Sequence, residues 1–232
     1  MKVSIAIPVF NEEKTIALII KKVKNLKIDK EIIVIDDGST DSSFDKVKNI
    51  KGIILIKHDK NLGKGAAIKS ALKIAKGNIF IIQDADLELD PEQIPKVISP
   101  IITGKAQVVY GSRNLIKVKD KNRRLAFYLG SKLITILTNI LYGTKITDEP
   151  CGYKAFDISL LKGINLENNR FEFEPEITAK IAKKGINILE VPVISKSRTI
   201  KEGKKIRLSD GFKAIFTLLK YKIKWLKKIK FW

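Results

Sequence analysis

The residues best suited to chemistry fall in three acidic clusters: Pro8-Val9-Phe10-Asn11-Glu12-Glu13, Asp36-Asp37-Gly38-Ser39-Thr40-Asp41 and Gln83-Asp84-Ala85-Asp86-Leu87-Glu88. Each directly follows a run rich in Ile and Val. In an open parallel sheet, ligands bind at the carboxyl ends of the strands, so all three clusters lie where a site belongs. Carboxylates gathered in one crevice repel one another unless a cation compensates them. Asp84 and Asp86 flank a single residue, a spacing that lets both reach one hard cation if the chain turns there. Mg2+ or Mn2+ takes such oxygen ligands and keeps positions open for substrate phosphates. Taken alone, the pair equally fits a capped turn ahead of Pro91. The coincidence with Asp36 and Asp37 favours the cation.

The residue counts narrow the alternatives. One Cys, Cys151, and one His, His58, exclude a disulfide framework, a Cys/His zinc site and a His-rich metal centre. A Ser-His-Asp triad has only His58 to use, and His58 is expected at a strand end with no catalytic part. Cys151 reads as a packed small residue. No Gly-x-x-x-x-Gly-Lys-Ser/Thr occurs, which excludes a P-loop. Gly63-Lys64-Gly65-Ala66-Ala67 has two of the three dinucleotide glycines and follows the third strand, which argues against a nicotinamide enzyme. That segment either offers backbone N–H groups and Lys64 to a pyrophosphate or simply starts a helix.

Short apolar runs alternating with helical patterns predict an α/β fold with a mostly parallel sheet flanked by helices. Strands are expected over 2–8, 31–35, 52–57, 78–82 and 107–110, buried on both faces. Helices are expected over 12–26, with Asn11 as N-cap, over 64–76 and over 92–103. Beyond Ser112 the pattern shifts to a basic loop over 113–124, an apolar helix over 125–142, a helix over 174–184 and a strand over 185–193. The 232 residues suit one large domain or two small ones. We divide them into a nucleotide half, 1–112, and an acceptor and membrane half, 113–232, of one domain.

The formal charge is +20, and residues 196–232 hold thirteen Lys or Arg against only Glu202 and Asp210. There Phe212, Ile215, Phe216, Leu219, Ile223, Leu226 and Ile229 recur at helical spacing, with Lys213, Lys220, Lys224, Lys227 and Lys228 mainly opposite. Such a basic amphipathic helix either lies on an anionic membrane surface or packs on its own domain. Nucleic acid is not expected as a partner, since no helix-turn-helix, RNA-recognition or zinc-finger pattern accompanies the charge. Residues 125–142 carry Lys132 as their only charge, but a helix of that length spans about 27 Å against a bilayer core of roughly 30 Å. Ser131, Thr135, Thr138 and Asn139 interrupt it, so it reads as an interfacial or buried helix. Met1 to Val9 runs straight into a strand-like pattern, without the shape of a secretory signal, and a cytoplasmic location is expected.

The succession SIAIPVFNEE, EIIVIDDGSTD, NLGKGAAIKSAL, IIQDADLELDPE and YGSRN resembles a family 2 glycosyltransferase of the GT-A fold. It is most similar to the group of dolichyl-phosphate mannose and glucose synthases. The likeness continues through TDEPCGYKAF at 147–156, EFEPEITAKIAKKGINILEVPV at 172–193 and EGKKIRLSDGFKAI at 202–215, so it covers nearly the whole chain. The resemblance implies that Pro8, Phe10, Glu12 and Asp37 line the base and ribose pocket and that Asp84 and Asp86 hold metal and diphosphate, while Lys64 joins the nucleotide-sugar site on the pyrophosphate reading of its own segment. Glu88 stands where many of these synthases have Gln, and either adds a third metal carboxylate or turns away. Arg113, Arg123 and Arg124 match basic positions that grip the lipid phosphate. Asp148 matches a position near the reaction centre, and Lys154 would pair with phosphate or with Asp148.

The expected activity is transfer of a hexose, with inversion, from a nucleoside diphosphate sugar to a polyprenyl phosphate. Asp86, Arg113 and Asp148 would carry the catalysis with Mg2+ or Mn2+, at the inner face of the membrane. A sugar-hydroxyl acceptor would instead need a carboxylate base, Asp148 or Glu174. A basic membrane-binding module without activity is the rival of another class.

Overall fold

The protein is described by a computed structural model at residues 1–116, 125–199, 202–203, 205 and 208–229. Its strands are β1 (Val3–Val9), β2 (Lys30–Asp36), β3 (Ile54–Lys57), β4 (Ile79–Ile82), β5 (Val108–Ser112), β6 (Lys154–Asp157) and β7 (Ile188–Pro192). They form one sheet in the order β3-β2-β1-β4-β6-β5-β7. All pairings are parallel except those of β6, which runs antiparallel to both β4 and β5.

The central Ile and Val runs of β1, β2 and β4 form strands because they are covered on both faces, whereas edge strand β3 is partly exposed. Val3, Ile5, Ile7 and Val9 of β1 point into one core, with Ile32 and Val34 of β2 and Ile79 and Ile81 of β4. Ala6, Ile33, Ile35, Phe80 and Ile82 point into the other. The first core is closed by α1 (Ile16–Asn25) and α4 (Ile94–Ile102), the second by α3 (Lys64–Ile74) and α7 (Phe173–Lys183). Short helices α2 (Ser43–Val47) and α6 (Ile158–Lys162) complete the layers.

β6 is the strand absent from the sequence reading. Its four residues form no apolar run of strand length, and its place comes from insertion between β4 and β5. A strand from the second half therefore completes the sheet of the first. The start of α1 also differs from expectation. It begins at Ile16, while Asn11 takes φ 50°, a region that Asn tolerates. The Asn11 side chain accepts the Thr40 N–H at 2.8 Å and donates to Thr40 Oγ1 at 3.1 Å. Asn11 thus ties the tips of β1 and β2 together and caps no helix.

At the start of α3, a Cβ on Gly63 would lie 2.5 Å from the Asn169 carbonyl oxygen, and one on Gly65 would lie 2.6 Å from that of Asn168. The two glycines let the second half press onto the first turn of α3. Helix α5 (Leu125–Tyr142) packs against α8 (Leu208–Ile229) through Ile134, Ala214 and Leu218, and the Tyr142 hydroxyl donates to the Leu218 carbonyl at 2.6 Å. The sequence left open which way α8 faces, and the structure turns only part of its apolar side inward. Ala214, Leu218 and Tyr221 are buried, while Phe212 and Phe216 are 75% and 69% exposed and Leu219 and Ile223 also face out. Leu125, Leu129, Leu133, Ile136 and Ile140 form a matching exposed stripe on α5.

Candidate active site

The tips of β1, β2 and β4 lie side by side because these strands are adjacent in the sheet. At the first tip, Phe10 is half-buried with the Lys205 ammonium 5.7 Å above its ring. Glu12 is buried and accepts both Arg198 nitrogens, Nη1 at 2.8 Å and Nη2 at 2.9 Å, together with Lys205 Nζ at 2.5 Å. Burial pushes its carboxyl up, but the Arg198 and Lys205 bonds outweigh this and hold it below the usual range.

At the second tip, Asp37 is buried and saturated with donors. Its Oδ1 meets His58 Nδ1 at 2.7 Å and the Leu62 N–H at 3.0 Å, and its Oδ2 accepts the Gly63 N–H at 2.7 Å. Asp37 therefore fixes the turn that launches α3, and with it Lys64. His58, expected to stand idle, is the lateral brace of Asp37. Its Nε2 reaches Ser70 Oγ at 2.9 Å. These are the distances of a nucleophile, base and acid array, but Ser70 sits in mid-helix, where backbone N–H groups are consumed by the helix and no oxyanion donors remain. Beside it, Asp36 is fully buried, and neither carboxylate oxygen has a hydrogen-bond partner among the described residues.

At the third tip, Asp84 Oδ1 pairs with Lys64 Nζ at 2.8 Å. A Cβ on Gly152 would lie 2.2 Å from Asp84 Oδ2, so Gly152 is what allows the second half to sit against this carboxylate. Asp86 accepts the Glu88 N–H at 3.0 Å and faces Arg198 Nη2 at 3.3 Å. Glu88 Oε1 accepts the Arg198 N–H at 2.9 Å. Burial, then the charges of Asp84 and Glu88, push Asp86 up to about 7 despite Arg198. Among the described residues, Lys64 and Arg198 thus do not offset the acidic neighbours of Asp86.

That deficit is the test of a divalent ion here, and the residues fit one. Among the described residues no three carboxylate, Cys or His side chains converge as a complete cage. Mg2+ does not require one, since it is commonly held by one or two carboxylates plus substrate phosphates and water. Asp84 and Asp86 supply that minimum.

The second half brings a second group of charges. Arg113 grips Asp148 with Nε and Nη2, both at 2.7 Å, and its backbone N–H adds a bond at 2.9 Å. The Asp148 carboxylate is fully buried, and the bidentate pair holds the Arg113 guanidinium firmly charged against the cost of its burial. Lys154 is not available to an acceptor phosphate and does not pair with Asp148. It is fully buried, with its ammonium 2.6 Å from Glu174 Oε2 and donating to the carbonyls of Glu149 and Cys151 at 2.7 and 2.9 Å. The reason is its position in β6, the strand that the sequence reading lacked. Arg123 and Arg124 lie outside the described residues. Cys151 is buried in the first core.

Arg198 and Lys205 are the site residues that the sequence reading missed. Both fall in a segment whose charges look uniformly solvated, and their partners lie more than 100 residues away. The segment is laid over the crevice by a bridge between Leu89 and Ser195 and by the Lys196 N–H bonding to the Glu88 carbonyl at 2.9 Å.

Known proteins place this arrangement. Over 95% of the chain, the fold superposes with a TM-score of 0.73 on the crystal structure of glucosyl-3-phosphoglycerate synthase from Mycobacterium tuberculosis in complex with Mn2+, uridine diphosphate and phosphoglyceric acid. That alignment has 22% identity and covers 78% of that chain. The sequence is 32% identical over 238 residues to the UDP-N-acetylglucosamine–dolichyl-phosphate N-acetylglucosaminyltransferase of Methanococcus voltae, covering 94% of each chain. It is 30% identical over 199 residues to the dolichol-phosphate mannosyltransferase of Pyrococcus furiosus, covering 83% of this chain and 56% of that one. The profile described as glycosyl transferase family 2 matches residues 4–164, which contain all three strand tips, Arg113, Asp148 and Lys154. The α/β sheet is a GT-A fold, and the chain belongs to glycosyl transferase family 2.

Proposed function

We propose that the protein transfers a hexose from a nucleoside diphosphate sugar to a polyprenyl phosphate, with inversion at the anomeric carbon and a divalent cation on Asp84 and Asp86. Residues 1–112 supply most of the donor side, joined by Arg198 and Lys205 from the second half, and residues 113–232 otherwise serve the acceptor. The observation that supports this reading is that neither carboxylate the sequence offers as a hydroxyl base, Asp148 or Glu174, is free to act as one, while Asp86 is assigned to the cation. Asp148 is chelated by Arg113. Glu174, although burial opposes its charge, is held below the usual carboxylate range by Lys154 and Lys64. A hydroxyl acceptor needs a base of raised pKa, whereas a phosphate acceptor arrives already anionic.

When bound, the cation supplies Lewis-acid stabilisation of the charge on the departing diphosphate. The chain's own residues do the rest. Asp37 and His58 set the turn beneath the base and ribose pocket, where Pro8, Phe10 and Glu12 lie. Lys64, paired with Asp84, and Arg198, beside Asp86, supply positive charge for the diphosphate. Arg113, its guanidinium plane fixed by Asp148, orients the acceptor phosphate, and Arg123 and Arg124 add charge to the same role.

The apolar stripes of α5 and α8 support a peripheral place on an anionic membrane surface at the cytoplasmic side, where such an acceptor is presented. Exposed Phe and Leu enter the headgroup boundary while the exposed Lys213 beside them meets lipid phosphates. The test is a panel of labelled sugar nucleotides offered with a short polyprenyl phosphate and Mg2+ or Mn2+. Label is expected in the organic phase with at least one donor. Label that passes only to a water-soluble sugar, whatever the donor, contradicts the reading.

A further inference from the structure

Four charges of alternating sign run from the β4 tip into the second half. Asp84 Oδ1 meets Lys64 Nζ at 2.8 Å, Lys64 meets Glu174 Oε1 at 2.9 Å, and Glu174 Oε2 meets Lys154 Nζ at 2.6 Å. Each member comes from a different element: the end of β4, the first turn of α3, the first turn of α7 and the start of β6. All are largely withdrawn from solvent, with side-chain exposures of 25%, 13%, 11% and 0% from Asp84 to Lys154. Interactions in such a setting are weakly screened. The far end is anchored, because Lys154 also donates to two carbonyls and sits 4.7 Å from the Tyr110 ring.

This arrangement has a consequence for a cation at Asp84 and Asp86. Lys64 already occupies Asp84, so an arriving divalent ion competes with an ammonium for the same oxygen. An ammonium displaced without another partner would be a buried unpaired charge, which is costly. Glu174 removes that cost. We infer that Glu174 is a positioning residue that keeps Lys64 in the site while Asp84 changes partner, so that the ammonium is released from Asp84 toward the incoming diphosphate and stays tethered at 2.9 Å to helix α7. The acceptor half thereby sets the strength of the donor site. This rests on the proposed role of Asp84 and Asp86 as cation ligands.

The test is direct Mn2+ titration, followed by electron paramagnetic resonance of free Mn2+, on the full chain with uridine diphosphate present to supply phosphate oxygens. Wild type is expected to bind one Mn2+ that Asp86→Ala loses. If wild type binds none under these conditions, the cation reading itself fails. Glu174→Gln is expected to weaken Mn2+ binding about tenfold, because Lys64 then has only Asp84 as an anionic partner. Lys64→Met is expected to bind Mn2+ more tightly than wild type, since the competitor is gone. The decisive variant is the double one. Lys64→Met/Glu174→Gln should match Lys64→Met, because Glu174 acts only through Lys64. If Glu174→Gln proves unfolded by circular dichroism, Lys154→Met/Glu174→Gln removes the orphaned buried ammonium and replaces it in the titration. An unchanged Mn2+ affinity in the folded Glu174 variant, or an equal loss with and without Lys64, overturns the inference while leaving the cation site standing.

Discussion

Beneath helix α7, Lys154, Glu174 and Lys64 alternate in sign at 2.6 and 2.9 Å. A short way along the same chain of contacts, at the tip of β4, Asp84, Asp86 and Glu88 crowd together, and the compensating cations leave Asp86 pushed up to about 7 by burial and by its acidic neighbours. Both regions bury charge, and they differ in whether the charge is matched. The matched region resembles a structural ion-pair network, in which opposite charges meet at close range and the cost of desolvation is offset locally. The unmatched region is what a site for a removable cation looks like when built from the same residue types. Perturbation by burial together with identifiable charges, in a crevice, is a recognised mark of function, whereas perturbation by pairing alone is not.

Breaking the matched region should cost stability first. Lys154→Met leaves Glu174 without its nearest cation and is expected to lower the unfolding free energy by about 3 kcal/mol, read from denaturant melts with and without Mn2+. A loss of Mn2+ binding with no loss of stability would merge the two regions and undo the comparison.

The unmatched region should instead respond to pH. The folded-state pKa of Asp86 lies above its ordinary value of 3.8, at about 7. The folded protein thus holds a proton that the unfolded chain releases, and the associated stability is complete below about pH 4 and is lost as pH rises through about 7. In chelator, the melting temperature is expected to fall across that window, and Asp86→Asn should flatten the fall. Added Mn2+ should reverse it by taking the place of the proton. A melting temperature that rises with pH across this window would contradict the unmatched character of the site.

The bracing of Asp37 predicts a smaller effect. His58→Leu removes the 2.7 Å bond to Asp37 and is expected to raise KM for the sugar nucleotide several-fold with little change in kcat, a positioning loss on the order of 1 kcal/mol. His58→Asn, whose amide can donate where ring Nδ1 does, should restore most of it. Equal defects in both variants would reduce His58 to packing. Smallest is the surface. Phe212→Ser with Phe216→Ser should weaken binding to anionic vesicles while leaving Mn2+ affinity untouched.

What the sequence disclosed follows the reach of its signals. Strands buried on both faces announce themselves as Ile and Val runs, so the five sheet strands of the first half and the acidic residues at their ends were legible. β6 was not, because the four residues of Lys154–Asp157 contain one charged residue at each end and owe their conformation to neighbours more than 40 positions away in sequence. Misplacing that strand is what left Lys154 free to be assigned to a phosphate. Arg198 was hidden for a related reason: one arginine in a strongly basic segment carries no local sign that its partners are Glu12 and Asp86. The helical period of α8 was readable, but its facing was not. Phe212 and Phe216 satisfy an inward pattern as well as an outward one, and in the structure Ala214 and Leu218, with the 2.6 Å bond from Tyr142, form the side that α5 takes.

The most direct test of the account is the cation dependence of sugar transfer to polyprenyl phosphate. Enzyme stripped with chelator should form no labelled lipid, regain activity on addition of Mn2+ or Mg2+, and fail to regain it when Asp86 is replaced by Ala. Transfer at the full rate in chelator, or an Asp86→Ala variant as active as wild type, would contradict the claim that the carboxylates at the β4 tip are assembled for a metal-bound diphosphate.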